Sequence, residues 1–435
     1  MAEDALIQQG RSRADGLVQP VRHRQIIYFS GYDPRGPTWY YNAFARACTR
    51  LQQLYSARVM LCPLEVENDD LAQWQIETEL AGRTVETSYD FIRFERFVSS
   101  QLAAATMRQI WRCLAWIIVD DFRGTRLRIL SASWRFGLHL EFFRLLTAAW
   151  LLVPALAAYV LWRFASVWLA RPALAVAAAV PFGWAVLALL RPLADRWYLV
   201  QITNCWLTLR SFGRGRPTWL DGVIDRAAER VLKAVADSDA DEIVVVGHST
   251  GAVLALATVA RALERNLRLD GSGPRLVLLT LGSVMPGLAL DRAAVRMRQI
   301  VKRVAMTPDL VWIDCQSRKD VMNFANFDPV KDIGVQDAGR HRSNRLTWMV
   351  SFKAMLSAET YRRLRRSFFR IHFQFIGAGE RPSPYDYVLL TAGPVPIAEW
   401  ARNPQRVFAA IRHGGLVDSP GAAPDGAPAA AAVSP

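Results

Sequence analysis

Apolar and polar positions along this chain follow three different rules. Gln25–Phe29 (QIIYF), Ile243–Val246 (IVVV), Arg275–Leu281 (RLVLLTL) and Leu310–Asp314 are short apolar runs rich in β-branched residues. Such runs suit strands buried on both faces. Between them the period lengthens. Leu220, Val223, Ile224, Ala227, Val231 and Val235 recur at helical spacing within Thr218–Asp237. Helices are also predicted over Thr38–Tyr55, Asp291–Val304 and the basic stretch Glu359–Arg366. Residues 58–96 hold two or three strand candidates, the clearest at Thr87–Phe94, and further strands are predicted at Arg370–Ile376 and Tyr385–Thr391. Strands alternating with helices predict an α/β fold, a mostly parallel sheet flanked by helices.

The third rule governs the middle of the chain. Leu145–Trp162 is apolar except for Thr147 and Pro154 and continues past Arg163 to Ala170; Ala173–Leu190 carries no charge. Each run is long enough to cross a hydrocarbon layer of about 30 Å as a helix. Only Arg163 and Arg171-Pro172 interrupt them, so together they predict a transmembrane hairpin inserted into the α/β domain. Ahead of it, an amphipathic pattern through Ile110–Ile117, with Arg108 and Arg112, predicts a helix along a membrane surface. Arg123, Arg126, Arg128, Arg135 and Arg144 precede the hairpin, and Arg191, Arg196 and Arg210 follow it. This excess of flanking arginine places both long flanks in the cytoplasm. The resulting division is a flexible segment 1–22, a first domain part 23–143, the hairpin 144–192, a second part 193–415, and a Pro/Ala-rich disordered tail 416–435.

Composition narrows the partners. The 435-residue chain carries 53 Lys+Arg against 39 Asp+Glu, a net charge of +14, and 52% of it is hydrophobic. No zinc-finger or RNP pattern accompanies the charge, so the expected partner is an anionic bilayer and not a nucleic acid. Five cysteines without a CxxC pair fit reduced thiols in the cytosol. The first sixteen residues lack the apolar core of a secretory signal.

Candidate chemistry sits where Ile243–Val246 ends. Gly247-His248-Ser249-Thr250-Gly251 fits G-x-S-x-G between a strand and an apolar helical segment. There Gly247 and Gly251 permit a tight turn that lifts Ser249 over a helix N-terminus. A serine nucleophile needs an oriented base. Of six histidines, His23 and His139 precede the serine, His248 fills the variable position and His413 borders the tail, leaving His341 and His372. His372, between aromatics in FRIHFQF, is preferred to His341 in the basic GRHRSNR. The acid is expected beyond the second strand after the serine, with Asp320 preferred and Asp314 in reserve. Oxyanion donors are expected at Thr250 N–H and, after the first strand, at Tyr32 N–H, with Gly31 letting the backbone approach.

In these motifs the chain resembles the α/β-hydrolase superfamily in its lipase and esterase branch, although Ser30-Gly31-Tyr32 lacks the His that lipases often carry there. Its Gly-aromatic-Asp-Pro-Arg-Gly loop also resembles that of uncharacterised bacterial membrane-bound hydrolases, implying an inner-membrane location. The resemblance implies a serine hydrolase acting on a lipid or other amphiphilic ester, with neither metal nor cofactor. An acyltransferase using the same residues and a non-catalytic scaffold retaining the fold are the alternatives.

Overall fold

In the computed structural model, which describes residues 20–119, 124–169, 171–269, 271, 273–335 and 344–412, one nine-stranded sheet organises the chain. The strands are β1 (His23–Phe29), β2 (Arg58–Leu61), β3 (Glu65–Val66), β4 (Leu71–Leu80), β5 (Arg83–Ile92), β6 (Glu242–His248), β7 (Arg275–Leu281), β8 (Val311–Gln316) and β9 (Arg345–Met349). Their order is β2-β4-β5-β1-β6-β7-β8-β9, with β3 paired to β4. From β5 to β9 every neighbour is parallel, and the antiparallel strands gather at the β2 end.

The central strands are buried on both faces, which is why they read as unbroken apolar runs. Along β1, Ile27 and Phe29 enter one core while Ile26 and Tyr28 enter the other. Ile243 and Val245 of β6 join the first core, and Val244 and Val246 the second. Helix Trp219–Asp237 runs into β6. Thr218 and Asp221 close its N-terminus as a reciprocal capping box, and its regular apolar face is buried.

Two long helices, Trp134–Leu169 and Pro172–Arg196, leave this body between β5 and β6 and pack against each other. Gly183 meets Ala158 and the Pro154 carbonyl at their contact, a close approach of small residues. Both helices are long and apolar enough to cross a membrane, yet only 17% and 22% of their most apolar windows are buried. A core helix would have most of that window covered. Leu152, Leu156, Val160, Phe164 and Val167 instead form an exposed stripe of large apolar side chains.

The helical hairpin is wider than the apolar runs alone. The first helix has 36 residues, about 54 Å at 1.5 Å per residue, well beyond the hydrocarbon thickness. Its first turns, WRFGLHLEFFR, are too polar for an apolar run, and Phe136, His139 and Phe143 there are buried.

Two expected strands are helical. In Arg370–Ile376 the chain forms helix Phe368–His372 and a 3₁₀ turn Phe373–Phe375. Ile371, His372, Phe375 and Ile376 are buried at i, i+1, i+4 and i+5, the spacing of a helix. In Tyr385–Thr391 the chain forms helix Tyr387–Ala392, capped by Asp386, whose carboxylate accepts the Leu389 N–H at 3.1 Å. All six helix residues are buried, so no period marked the segment. The strand beyond β8 is instead β9, where arginine, threonine and partly exposed positions hide the pattern. The expected tail 416–435 and most of segment 1–22 lie outside the described residues.

Candidate active site

At the end of β6 the chain turns into helix Gly251–Glu264 within three residues. Ser249 sits in that turn at φ 61°, a left-handed conformation costing a residue with a side chain about 1–2 kcal/mol. Ser249 N–H donates to the Leu281 carbonyl at the end of β7 at 2.8 Å, anchoring the strained residue to the sheet. The flanking glycines are sterically required. A Cβ at Gly251 would lie 2.3 Å from the Phe29 and Ser30 carbonyl oxygens, and one at Gly247 would lie 2.5 Å from Ala252 Cα. Ser249 is 8% exposed and lines a cavity of about 680 Å³.

His372 comes to this cavity from the opposite end of the chain. Its Nδ1 lies 2.6 Å from Asp320 Oδ2, both side chains being buried. The other Asp320 oxygen, Oδ1, accepts the Met322 N–H at 2.9 Å, so the carboxylate is held at both oxygens. Asn323 fixes the surrounding loop, donating to the Ser317 and Asp320 carbonyls. Being acceptor-only when ionised, the carboxylate calls for the proton on Nδ1 and leaves Nε2 bare. His372 Nε2 is buried and makes no hydrogen bond among the described residues. It therefore shares the cavity with Ser249 without bonding to it. An imidazole so held can accept a proton at Nε2.

The structure brings Asp320, and not Asp314, to His372. Asp314 lies within β8, where Thr280 Oγ1 and Gln316 Nε2 donate to it at 2.7 and 2.8 Å; burial raises its carboxyl above the usual range. His341 lies outside the described residues.

Loop 30–36 covers the serine. A Cβ on Gly31 would stand 3.8 Å from Ser249 Oγ, so this loop lies directly on the hydroxyl. Asp33 holds its shape by accepting from Arg35 N–H at 2.9 Å and from Tyr40 OH at 2.9 Å. Arg35 in turn stacks over Trp39 at 3.7 Å. Of the two expected oxyanion donors, Thr250 N–H donates no hydrogen bond among the described residues. Tyr32 N–H is already engaged, donating to Thr250 Oγ1 at 2.6 Å. The Tyr32 carbonyl accepts from Gln201 Nε2 at 2.8 Å, which ties the loop to helix Leu199–Gly213, directly after the hairpin.

Two histidines that the sequence set aside reappear here. His248 is fully buried, and its Nε2–H donates to the His372 carbonyl at 3.2 Å. The two rings lie 4.7 Å apart at 31°. Burial first, then the neighbouring His372 and Arg35, hold the His248 pKa well below its ordinary value. His139, on the first long helix, lines the cavity with Phe136 and Leu140, and its Nδ1 is buried with no hydrogen-bond partner among the described residues. Neither had a sequence signal beyond being histidine. Gly282, with φ 56°, leaves the room His372 occupies, since a Cβ there would lie 2.9 Å from His372 Cε1.

No set of three or more His, Cys, Asp or Glu among the described residues is arranged to hold a metal ion. No known protein family, curated protein or solved structure matches the chain.

Proposed function

We propose that this chain is a membrane-anchored serine hydrolase of the α/β-hydrolase type, cleaving an amphiphilic ester through an acyl-enzyme. The observation that carries the reading is the oriented His372–Asp320 pair, with a bare Nε2 in the cavity that holds the strained Ser249. Chain order supports it: serine after β6, acid after β8, histidine last.

In the reaction, Ser249 Oγ attacks the ester carbonyl carbon as its proton passes to His372 Nε2. Asp320 stabilises the resulting imidazolium through Nδ1–H. The oxyanion is received by Thr250 N–H and by Tyr32 N–H, once the latter exchanges Thr250 Oγ1 for substrate oxygen. Collapse breaks the bond to the leaving alcohol, which takes the proton from His372. Water then attacks the acyl-Ser249 ester, giving its proton to His372, and the acid departs as Ser249 is reprotonated. His248 remains neutral throughout and keeps the His372 backbone in place.

The two long apolar helices support the anchor, and the arginines flanking them support a hydrolase body on the cytoplasmic side. A fluorophosphonate probe on the full-length protein in detergent tests the reading. Labelling is expected at Ser249 and not in Ser249→Ala. A protein that is folded yet inert to the probe would overturn it.

A further inference from the structure

The helix Ala358–Leu364 and the residues after it carry Arg362, Arg363, Arg365, Arg366 and Arg370, all exposed. Among the described residues none of the five has an acidic partner, although Arg362 Nε donates to the Ala358 carbonyl. So dense a set of unpaired cations on one short segment repels itself, and it gains from a polyanionic neighbour.

The segment's location identifies that neighbour. Phe368 lies against His139 and Phe142 of the first long helix, with ring centroids at 5.3 and 6.3 Å. Phe369 packs on Tyr198, just beyond the second long helix, at 4.7 Å. Phe142 also meets Trp197 at 5.7 Å. Phe142, Trp197, Tyr198 and Phe368 are 37–45% exposed. This cluster of half-exposed aromatics sits at the base of both spans, the depth at which aromatic side chains mark a bilayer interface. Arginines beside it face lipid headgroups.

The same segment borders the Ser249 cavity. Leu364, Phe369 and Arg370 line it, together with Phe136 and Leu140 from the hairpin base. Arg46, exposed and without an acidic partner among the described residues, stands on another wall.

We propose that Arg362, Arg363, Arg365, Arg366 and Arg370, with Arg46, form a site for the phosphodiester headgroup of an anionic phospholipid at the mouth of the Ser249 cavity. The lipid held there lays its acyl chain against the apolar hairpin base and brings its ester towards Ser249. The headgroup site rests on the hairpin's lying in a bilayer; the delivery of an ester to Ser249 rests in addition on the hydrolase reading.

The test separates the two. Full-length Ser249→Ala protein in neutral detergent micelles is titrated with pyrene-labelled phosphatidylglycerol or pyrene-labelled phosphatidylcholine, following energy transfer from the tryptophans. The anionic lipid should be preferred. The preference should fall by roughly fivefold for each arginine changed to Gln at 362, 363, 365 and 366, in line with about 1 kcal/mol for each basic residue at an anionic surface. Arg→Lys at the same four positions should retain it, which excludes misfolding as the cause. Equal transfer from both lipids overturns the site. So does displacement of the lipid by inorganic phosphate at constant ionic strength, which would assign the arginines to a soluble anion. Because the readout uses the serine-less variant, it stands whether or not the chain proves to be a hydrolase. If both readings hold, the wild type should hydrolyse phosphatidylglycerol faster than phosphatidylcholine, and the Gln variant should lose that difference while still cleaving a short soluble ester.

Discussion

His248 Nε2 donates to the backbone carbonyl of His372 at 3.2 Å, with the two rings 4.7 Å apart. The variable residue of the G-x-S-x-G turn thus steadies the segment bearing the proposed base, 124 residues later in the chain. His248→Phe keeps a ring in that space but removes the donor. It should lower kcat by roughly 10–10²-fold, the cost of misplacing a reacting group by about 1 Å, and leave KM for a small ester nearly unchanged. His248→Gln should recover part of the loss. Stability should respond to pH as well. His248 is neutral in the folded protein, whereas its ordinary pKa is 6.5, so the unfolded chain binds more protons and stability should fall as pH drops below 6.5. Thermal unfolding of wild type and His248→Phe at pH 7.5 and 5.5 would check this; the variant should lose less on acidification.

Ser249→Ala should abolish ester turnover, with a loss on the order of 10⁶ in kcat, without disturbing the fold. His372→Ala should lose nearly as much, and the double variant scarcely more, because the two act as a unit. Steady-state kinetics on one soluble ester gives all three values. Additive losses would break the proposed link between the two side chains.

Thr250 Oγ1 competes with substrate for Tyr32 N–H. Removal of an oxyanion donor costs about 10²–10³ in kcat, whereas Thr250→Val removes only the competitor. Its kcat should therefore stay within about tenfold of wild type. A larger drop would show that the Thr250 hydroxyl is needed to hold loop 30–36, and would remove Tyr32 N–H from the mechanism.

Asp386 is buried at the start of helix Tyr387–Ala392, and burial, opposed by hydrogen bonds from Leu389 and Val388, raises its pKa from 3.8 to about 6. A carboxyl raised in the folded state supports stability below pH 3.8 and loses that contribution as pH rises through 6. Asp386→Asn keeps an oxygen for the Leu389 N–H and removes the charge. It should stabilise the protein at pH 7 and above by up to about 3 kcal/mol, with no gain below pH 4. Urea unfolding at the two pH values provides the comparison.

A fluorescent protein fused to the C-terminus should light up in the cytoplasm, and a reporter inserted at Arg171, between the two long helices, should be accessible from outside. A C-terminal reporter detected outside would reverse the orientation, and a water-soluble intact protein would remove the anchor.

What the sequence made legible follows from which residues carry a period. β1, β6, β7 and β8 were visible because both faces of each are buried, so their side chains form uninterrupted apolar runs. β9 was hidden because RLTWM is an edge strand with only Trp348 buried. The strand assignment at 385–391 failed for the opposite reason, since a short segment buried all round shows no face, and that at 370–376 failed because its apolar positions are too few to separate a helical period from a strand's. In the site, Ser249 was marked by the glycines on either side of it, Asp320 by its place in the loop beyond the second following strand, and His372 by elimination down to two histidines and its aromatic neighbours. The role of His248, the place of His139 in the cavity and the bond from Tyr32 to Thr250 depend on contacts across more than a hundred residues. No local pattern encodes them.

The order of strands has a consequence for how this protein is made. β1 lies between β5 and β6, yet the hairpin separates β5 from β6 in the chain by about 150 residues. At roughly 5–20 residues per second, the ribosome takes about 8–30 s to deliver β6 after β5. For that interval β1 stands with one edge open, and the missing neighbour cannot dock until both apolar helices have left the ribosome and found their place. On the proposed anchoring, assembly of the sheet is therefore gated by insertion of the hairpin. A stalled hairpin would then leave the open strand edge of a half-built sheet exposed, an aggregation-prone nascent chain.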